Sequence, residues 1–124
     1  MSSKKETVLI KKIDNTLLSI KSSILGERYM LTYSFIDSDE IKKINKHYRN
    51  KNVSTDILSF PLSPNEGEIY ISINEAKKEA PKFDRDLENF IKFLFIHGCV
   101  HLKGYDHSDK MESIEAKFRK KFGV

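Results

Sequence analysis

The chain has a single cysteine, Cys99, so no disulfide can form within it, and nothing in its cysteine usage points to an oxidising compartment. No run approaches the roughly 20 apolar residues that a membrane span needs. The opening MSSKKETVLIKK lacks the apolar centre and small-residue cleavage site of a secretory signal. A cytoplasmic location is the expectation. Proline and glycine are sparse, at three and five residues, and no Pro/Gly/Ser-rich linker divides the chain. Residues 1–124 therefore read as one domain, without repeats or low-complexity segments.

What is present is a modest excess of basic charge. Lys and Arg number 22 against 18 Asp and Glu, a formal net charge of +4. That permits attraction to a polyanion such as nucleic acid but does not require it. A richness in Lys, Ile and Asn often accompanies an AT-rich genome, so basic charge of this size is weak evidence of function.

Hydrophobic spacing supplies the elements. Leu9, Ile13, Leu17, Ile20 and Ile24 form the stripe of an amphipathic helix that Gly26 stops. Leu31-Thr-Tyr-Ser-Phe alternates as a half-buried strand with Tyr33 and Phe35 on one face. Asp37, with Glu40 three residues on, caps a second helix whose buried stripe is Ile41, Ile44 and Tyr48. Ile57-Leu-Ser-Phe and Glu68-Ile-Tyr-Ile-Ser-Ile predict an antiparallel pair of strands joined through Pro61, Pro64 and Gly67. Asn74 caps a short helix ending before Pro81. From about Asp84 a longer helix, apolar on nearly all sides around Phe90–Ile96, runs through the middle of the fold and ends near Gly104. Ser108 caps a last helix with Met111, Ile114, Phe118 and Phe122 inside. The order is helix, strand, helix, hairpin and three helices. It predicts an α+β fold, a small sheet covered by helices.

Three of the four histidines fall in His97-Gly-Cys-Val-His101-Leu-Lys-Gly104-Tyr-Asp-His107. Residues four apart on a helix share a face, so His97 and His101 can converge on one ion. Gly104 lets the chain turn back and bring in His107, leaving a fourth position for water. A histidine on a helix is more often structural, but three at this spacing around a helix breaker favour a metal site. Zinc suits three neutral nitrogens and lowers the pKa of bound water to about 7; the same imidazoles would accept nickel, copper or cobalt. Asp106 could orient a ligand, position an attacking water or cap the loop. The spacing is also that of metzincin proteases, H-E-x-x-H-x-x-G-x-x-H, except that Gly98 replaces the glutamate serving as their general base. Cys99 points about 200° round the helix from His97 and reads as a small core residue. Tyr105 reads as packing. Upstream, Lys42-Lys-Ile-Asn-Lys-His-Tyr-Arg49-Asn-Lys51 is a basic cluster. Either it is a solvated helix face or it contacts phosphates, with Arg49 suited to a two-pronged contact.

These residues carry a resemblance. HGCVHLKGYDH is similar to the H-G-x-L-H-L-x-G-Y-D-H signature of the YbeY family of bacterial endoribonucleases. INKHYRNKNVSTDILSFP resembles that family's L-N-x-x-Y-R-x-K-x-x-P-T-D-V-L-S-F-P segment, and GEIYIS its G-D-I-x-I-S strand. The likeness runs from about Leu31 to Phe122. Val100, Ser54 and Glu68 depart from the pattern without touching a ligand. The strand expected ahead of the first helix is missing or reduced to Thr7-Val-Leu-Ile. The resemblance implies a small mixed sheet packed by helices, with a three-histidine zinc site (His97, His101 and His107) on a central helix and the following loop. It places Arg49 where the family has its functional arginine. It further implies cleavage of single-stranded RNA in maturation of the 3′ end of small-subunit ribosomal RNA and in ribosome quality control. Ribosomal RNA precursors, the small subunit and its assembly proteins would be the partners, and neither membrane nor DNA. The rival readings are a metalloprotease-like hydrolase and a non-catalytic RNA-binding assembly factor that uses the metal as a staple.

Overall fold

The computed structural model describes residues 4–105 and 109–124, with side chains from Leu9 onward. Its elements are α1 (Lys4–Leu25), β1 (Met30–Ile36), α2 (Ser38–Arg49), β2 (Ile57–Ser63), β3 (Glu66–Ser72), α3 (Ile73–Glu79), a 3-10 turn (Ala80–Phe83), α4 (Leu87–Leu102) and α5 (Asp109–Phe122). The order is the one that hydrophobic spacing predicts, and the class is α+β. Thr7-Val-Leu-Ile is helical, within α1. No described helix is long and apolar enough to cross a membrane.

Strand β3 is central, parallel to β1 and antiparallel to β2. Because strand side chains alternate, the register that places Tyr33 and Ser59 on either side of Ile69 puts all three on one face. That face meets α4, where the Tyr33 and Phe95 rings lie edge to face at 5.2 Å. Packed against α4 is α1, whose Ile13, Leu17, Ile20 and Ile24 are each at most 1% exposed and whose Asp14 accepts a hydrogen bond from the Tyr33 hydroxyl of β1. Helix α4 is therefore enclosed by sheet, α1 and α5, which explains a sequence apolar on nearly every side. Two glycines set how closely α4 and the strands approach. A Cβ on Gly98 would lie 3.0 Å from Ile69 Cδ1 and 3.1 Å from Ile57 Cδ1. One on Gly67 would collide with the Tyr29 hydroxyl and sit 3.0 Å from Leu102.

Several local expectations are corrected. Tyr48 is not part of a buried stripe: it is 67% exposed, its ring 5.3 Å from Phe60, while Asn45 is buried in its place. The reason is polar. Asn45 Nδ2 donates to the Val53 carbonyl at 3.0 Å and the Asn45 carbonyl accepts from the Lys51 amide at 3.3 Å, which fastens the segment between α2 and β2. Pro61 lies inside β2 rather than in the hairpin loop, leaving Pro64 and Asn65 as the turn. An edge strand tolerates a missing N–H, and the register shifts just beyond, between Pro61 and Ser63. Ser72, not Asn74, caps α3, accepting from the Glu75 amide at 3.3 Å. Helix α4 starts at Leu87 rather than Asp84, because Asp84 takes a positive φ of 55° that closes the 3-10 turn, and Asp86 provides the cap. Asp37 caps α2 as expected, its Oδ1 accepting from the Glu40 amide at 2.8 Å.

Candidate metal centre

His97 and His101 stand one turn apart on the same face of α4, half-buried among fully buried neighbours. Each is gripped by an oxygen from a different element. His97 Nδ1 lies 2.8 Å from Oε1 of Glu115, a buried carboxylate on α5. His101 Nδ1 lies 2.9 Å from Oγ of Ser59 on β2. An ionised carboxylate only accepts, so His97 Nδ1 carries the proton and Nε2 is the atom suited to a metal. The same tautomer lets His101 donate to Ser59. Histidines that bind metals are oriented in this way, by a carboxylate or another acceptor behind the ring, so the two residues fit an ion of the zinc type.

The expected third ligand, His107, and its neighbour Asp106 lie outside the described residues, as does the cap Ser108. The approach to them has the anticipated form: Lys103 ends α4 and Gly104, with φ of 109°, takes the chain out of the helix. Among the described residues no group of three or more His, Cys, Asp or Glu side chains is placed to hold a metal ion. The described part of the candidate set is the helical pair.

Arg49 ends α2 and reaches the edge of the sheet, where its Nη2 donates to the Ser59 carbonyl at 3.4 Å and its guanidinium lies 5.5 Å from the centre of the Phe60 ring. Ser59 thus touches Arg49 through its carbonyl and His101 through its hydroxyl. The basic cluster divides. Lys42, Lys43, Lys46 and Lys51 are exposed, and His47 packs edge-on against Tyr48 at 4.6 Å.

Gly98 faces β2 and β3, so the position that holds the base in metzincins is turned into the sheet contact in this chain. Cys99 is fully buried, and burial pushes its thiol far above the ordinary range, which keeps it protonated and inert. Tyr105 is half-buried against the core.

Beside His97 opens a pocket of about 480 Å³ whose walls include Asp56, Phe83, Phe93, Met111 and Glu115. Burial raises the Asp56 carboxyl above the usual range, and the Glu79 carboxylate adds to this; the amides of Asp56 and Ile57 and the nearby His97 oppose it. Sequence spacing missed Ser59, Asp56 and Glu115. Glu115 had a signal: it sits four residues after Met111 and three before Phe118, a carboxylate on the stripe meant for the core. Ser59 had a weaker one, as a small polar residue on the strand face it shares with Ile57.

The sequence model of the family described as Endoribonuclease YbeY matches residues 2–122. A protein of that name from Nautilia profundicola is 45% identical over 85 aligned positions, covering 65% of this chain and 61% of its own length. The Endoribonuclease YbeY of Mesoplasma florum is 37% identical over 121 positions, covering 89% and 70%. That of Malacoplasma penetrans is 36% identical over 132, covering 98% and 84%. Against the Nautilia protein, the chain therefore spans about three fifths of its relative. The solution structure of TM1509 from Thermotoga maritima aligns with a TM-score of 0.69 at 28% identity, over 98% of this chain and 85% of that one.

Proposed function

The chain belongs to the Endoribonuclease YbeY family, and we propose that it is a zinc-dependent endoribonuclease that cuts single-stranded RNA. His97, His101 and His107 hold one ion. When bound, that ion supplies Lewis acidity toward a phosphoryl oxygen and an acidified water. Arg49 offsets the charge that grows on phosphorus, and Asp106 positions the attacking group. The exposed lysines of α2 hold the RNA backbone by simple charge. Its working place is the cytoplasm, on precursors of ribosomal RNA, with maturation of the 3′ end of the small-subunit RNA and ribosome quality control as its tasks. The small subunit and its assembly proteins are its partners.

One observation carries this reading: behind each helical histidine stands a polar group able to accept from Nδ1, Glu115 at 2.8 Å and Ser59 at 2.9 Å, an arrangement suited to presenting Nε2 for ligation. A pair of packing histidines has no need of two such supports on two different elements. Against a peptidase stand the sheetward face of Gly98 and the presence of Arg49, since a phosphodiester already bears a charge that an arginine matches and a peptide does not. The test is elemental analysis of the purified protein together with incubation on single-stranded RNA and on an unstructured protein. About one divalent ion per chain is expected, lost with His97→Ala or His101→Ala, with RNA cut and protein left intact. Full nuclease activity in a metal-free protein, or metal-dependent proteolysis without RNA cleavage, would overturn the proposal.

A further inference from the structure

We infer that the pocket beside His97 is a nucleobase subsite that selects guanine next to the cleaved bond. The inference rests on the reading of the chain as an RNA-cutting enzyme and adds to it a base preference.

One wall of the pocket is aromatic. Phe83, half exposed at 50%, sits on the 3-10 turn with its ring 5.4 Å from that of Phe93 and 5.3 Å from that of Phe90. Its backbone is fixed by hydrogen bonds from Asp84 to Pro81 and from Arg85 to Ala80, each 3.1 Å. Phe93 is braced by Arg85 and Arg119, whose guanidinium carbons lie 4.4 and 5.5 Å from its centroid. An exposed aromatic ring on a rigid turn is a stacking surface, and every base offers it a face.

The remaining polar lining, His97 aside, is made of carboxylates, which accept hydrogen bonds and repel phosphate. Two of the three are already engaged: Glu115 with His97 at 2.8 Å, and Glu112 with Arg119 at 2.7 Å. Asp56 remains. Its carboxylate lines the pocket, and two carboxylate oxygens offer about four acceptor sites toward it. Guanine matches this best: its adjacent N1–H and N2–H₂ donate to both oxygens at once, as a guanidinium does. Adenine and cytosine each offer one amino group. Uracil places two carbonyls beside its single N–H, against the carboxylate. A pocket of about 480 Å³ is within the range that takes small ligands.

The full chain should be titrated with the four nucleoside 5′-monophosphates while amide and aromatic NMR signals are followed. The guanine nucleotide is expected to bind at least about tenfold tighter than the uracil one, with shifts centred on Asp56, Phe83 and Phe93. Phe83→Ala and Asp56→Asn should each weaken it about tenfold, and Asp56→Asn should level the order of bases. In parallel, single-stranded oligonucleotides with one guanine at varied positions should be cut at a fixed offset from it. Equal binding of the four nucleotides, shifts centred elsewhere, or cleavage indifferent to guanine would overturn the inference and leave the nuclease reading intact. Guanine-selective binding without cleavage of any RNA would support the pocket and refute the nuclease.

Discussion

The sharpest test of the proposed metal centre is a residue that would not itself touch the ion. Glu115→Gln keeps the volume and an acceptor for His97 Nδ1 and removes only the charge behind the ring. Loss of a partner of this kind weakens metal affinity by about 10- to 100-fold, or about 1.4–2.7 kcal/mol. Ser59→Ala removes a neutral hydrogen-bond partner from His101 and should cost about tenfold or less. Two readouts are available. Competition with a chromogenic chelator gives the zinc affinity directly. Thermal unfolding gives it through linkage, since each tenfold loss removes about 1.4 kcal/mol of the stabilisation that saturating zinc provides. For a chain of this length that lowers the zinc-loaded Tm by about 3–6 °C per tenfold while the metal-free Tm stays near wild type. Glu115→Gln with unchanged zinc affinity, or with the same Tm loss in both states, would mean that the carboxylate only packs α5 against α4.

Arg49→Ala should lower kcat about a hundredfold or more with zinc content and Tm unchanged, and Arg49→Lys should restore little, because one ammonium cannot make the two-pronged contact; a rise in KM alone would make Arg49 a docking residue. Replacing Lys42 and Lys43 should instead weaken RNA binding and flatten its salt dependence, read by titration at several ionic strengths, while turnover at saturation holds. Gly98→Glu forces a charge between Ile57 and Ile69 and should cost about 3 kcal/mol or more in urea unfolding, without creating a peptidase; a stable variant that gained metal-dependent proteolysis would contradict the facing of that position. Tyr29 and Tyr33 are held protonated chiefly by burial, aided at Tyr33 by Asp14, and Tyr70 is pushed up to about 12, first by its hydrogen bond to Glu68. Their folded values lie above the unfolded phenol value of about 10, so their contribution is whole below that pH and is lost as pH rises through the folded values. Tyrosinate absorbance should therefore show a late phase in the folded protein, and ionisation of all five tyrosines in one step near the phenol value would refute the assignment.

Periodicity was a sound guide to the elements because each buried stripe is long and apolar: α1 and α4 could hardly be read otherwise. It failed where a polar side chain decides the geometry. The buried face of α2 is set by Asn45 and its bond to Val53, and a count of apolar positions points to Tyr48 instead. Caps were ambiguous where candidates crowd, as with Ser72 and Asn74, or Asp84 and Asp86, since only the backbone angles distinguish them. At the site, the helical histidine pair was visible because it is local, four residues apart on one helix. Glu115 and Ser59, 18 and 42 residues away from the histidines they hold, come from other elements, and sequence spacing says nothing of such meetings.

Because one residue, Ser59, joins the arginine to the helical histidine, the site depends on strand pairing. A slip of β2 by one position would turn that hydroxyl to the opposite face of the sheet and misplace His101 and Arg49 together. The irregular step between Pro61 and Ser63 lies between Ser59 and the hairpin turn. Insertions or deletions at Pro64 and Asn65 can be absorbed there before they disturb Ile57–Phe60. The hairpin tip is thus free to vary in length and chemistry among descendants of this chain, whereas the first half of the same strand is not.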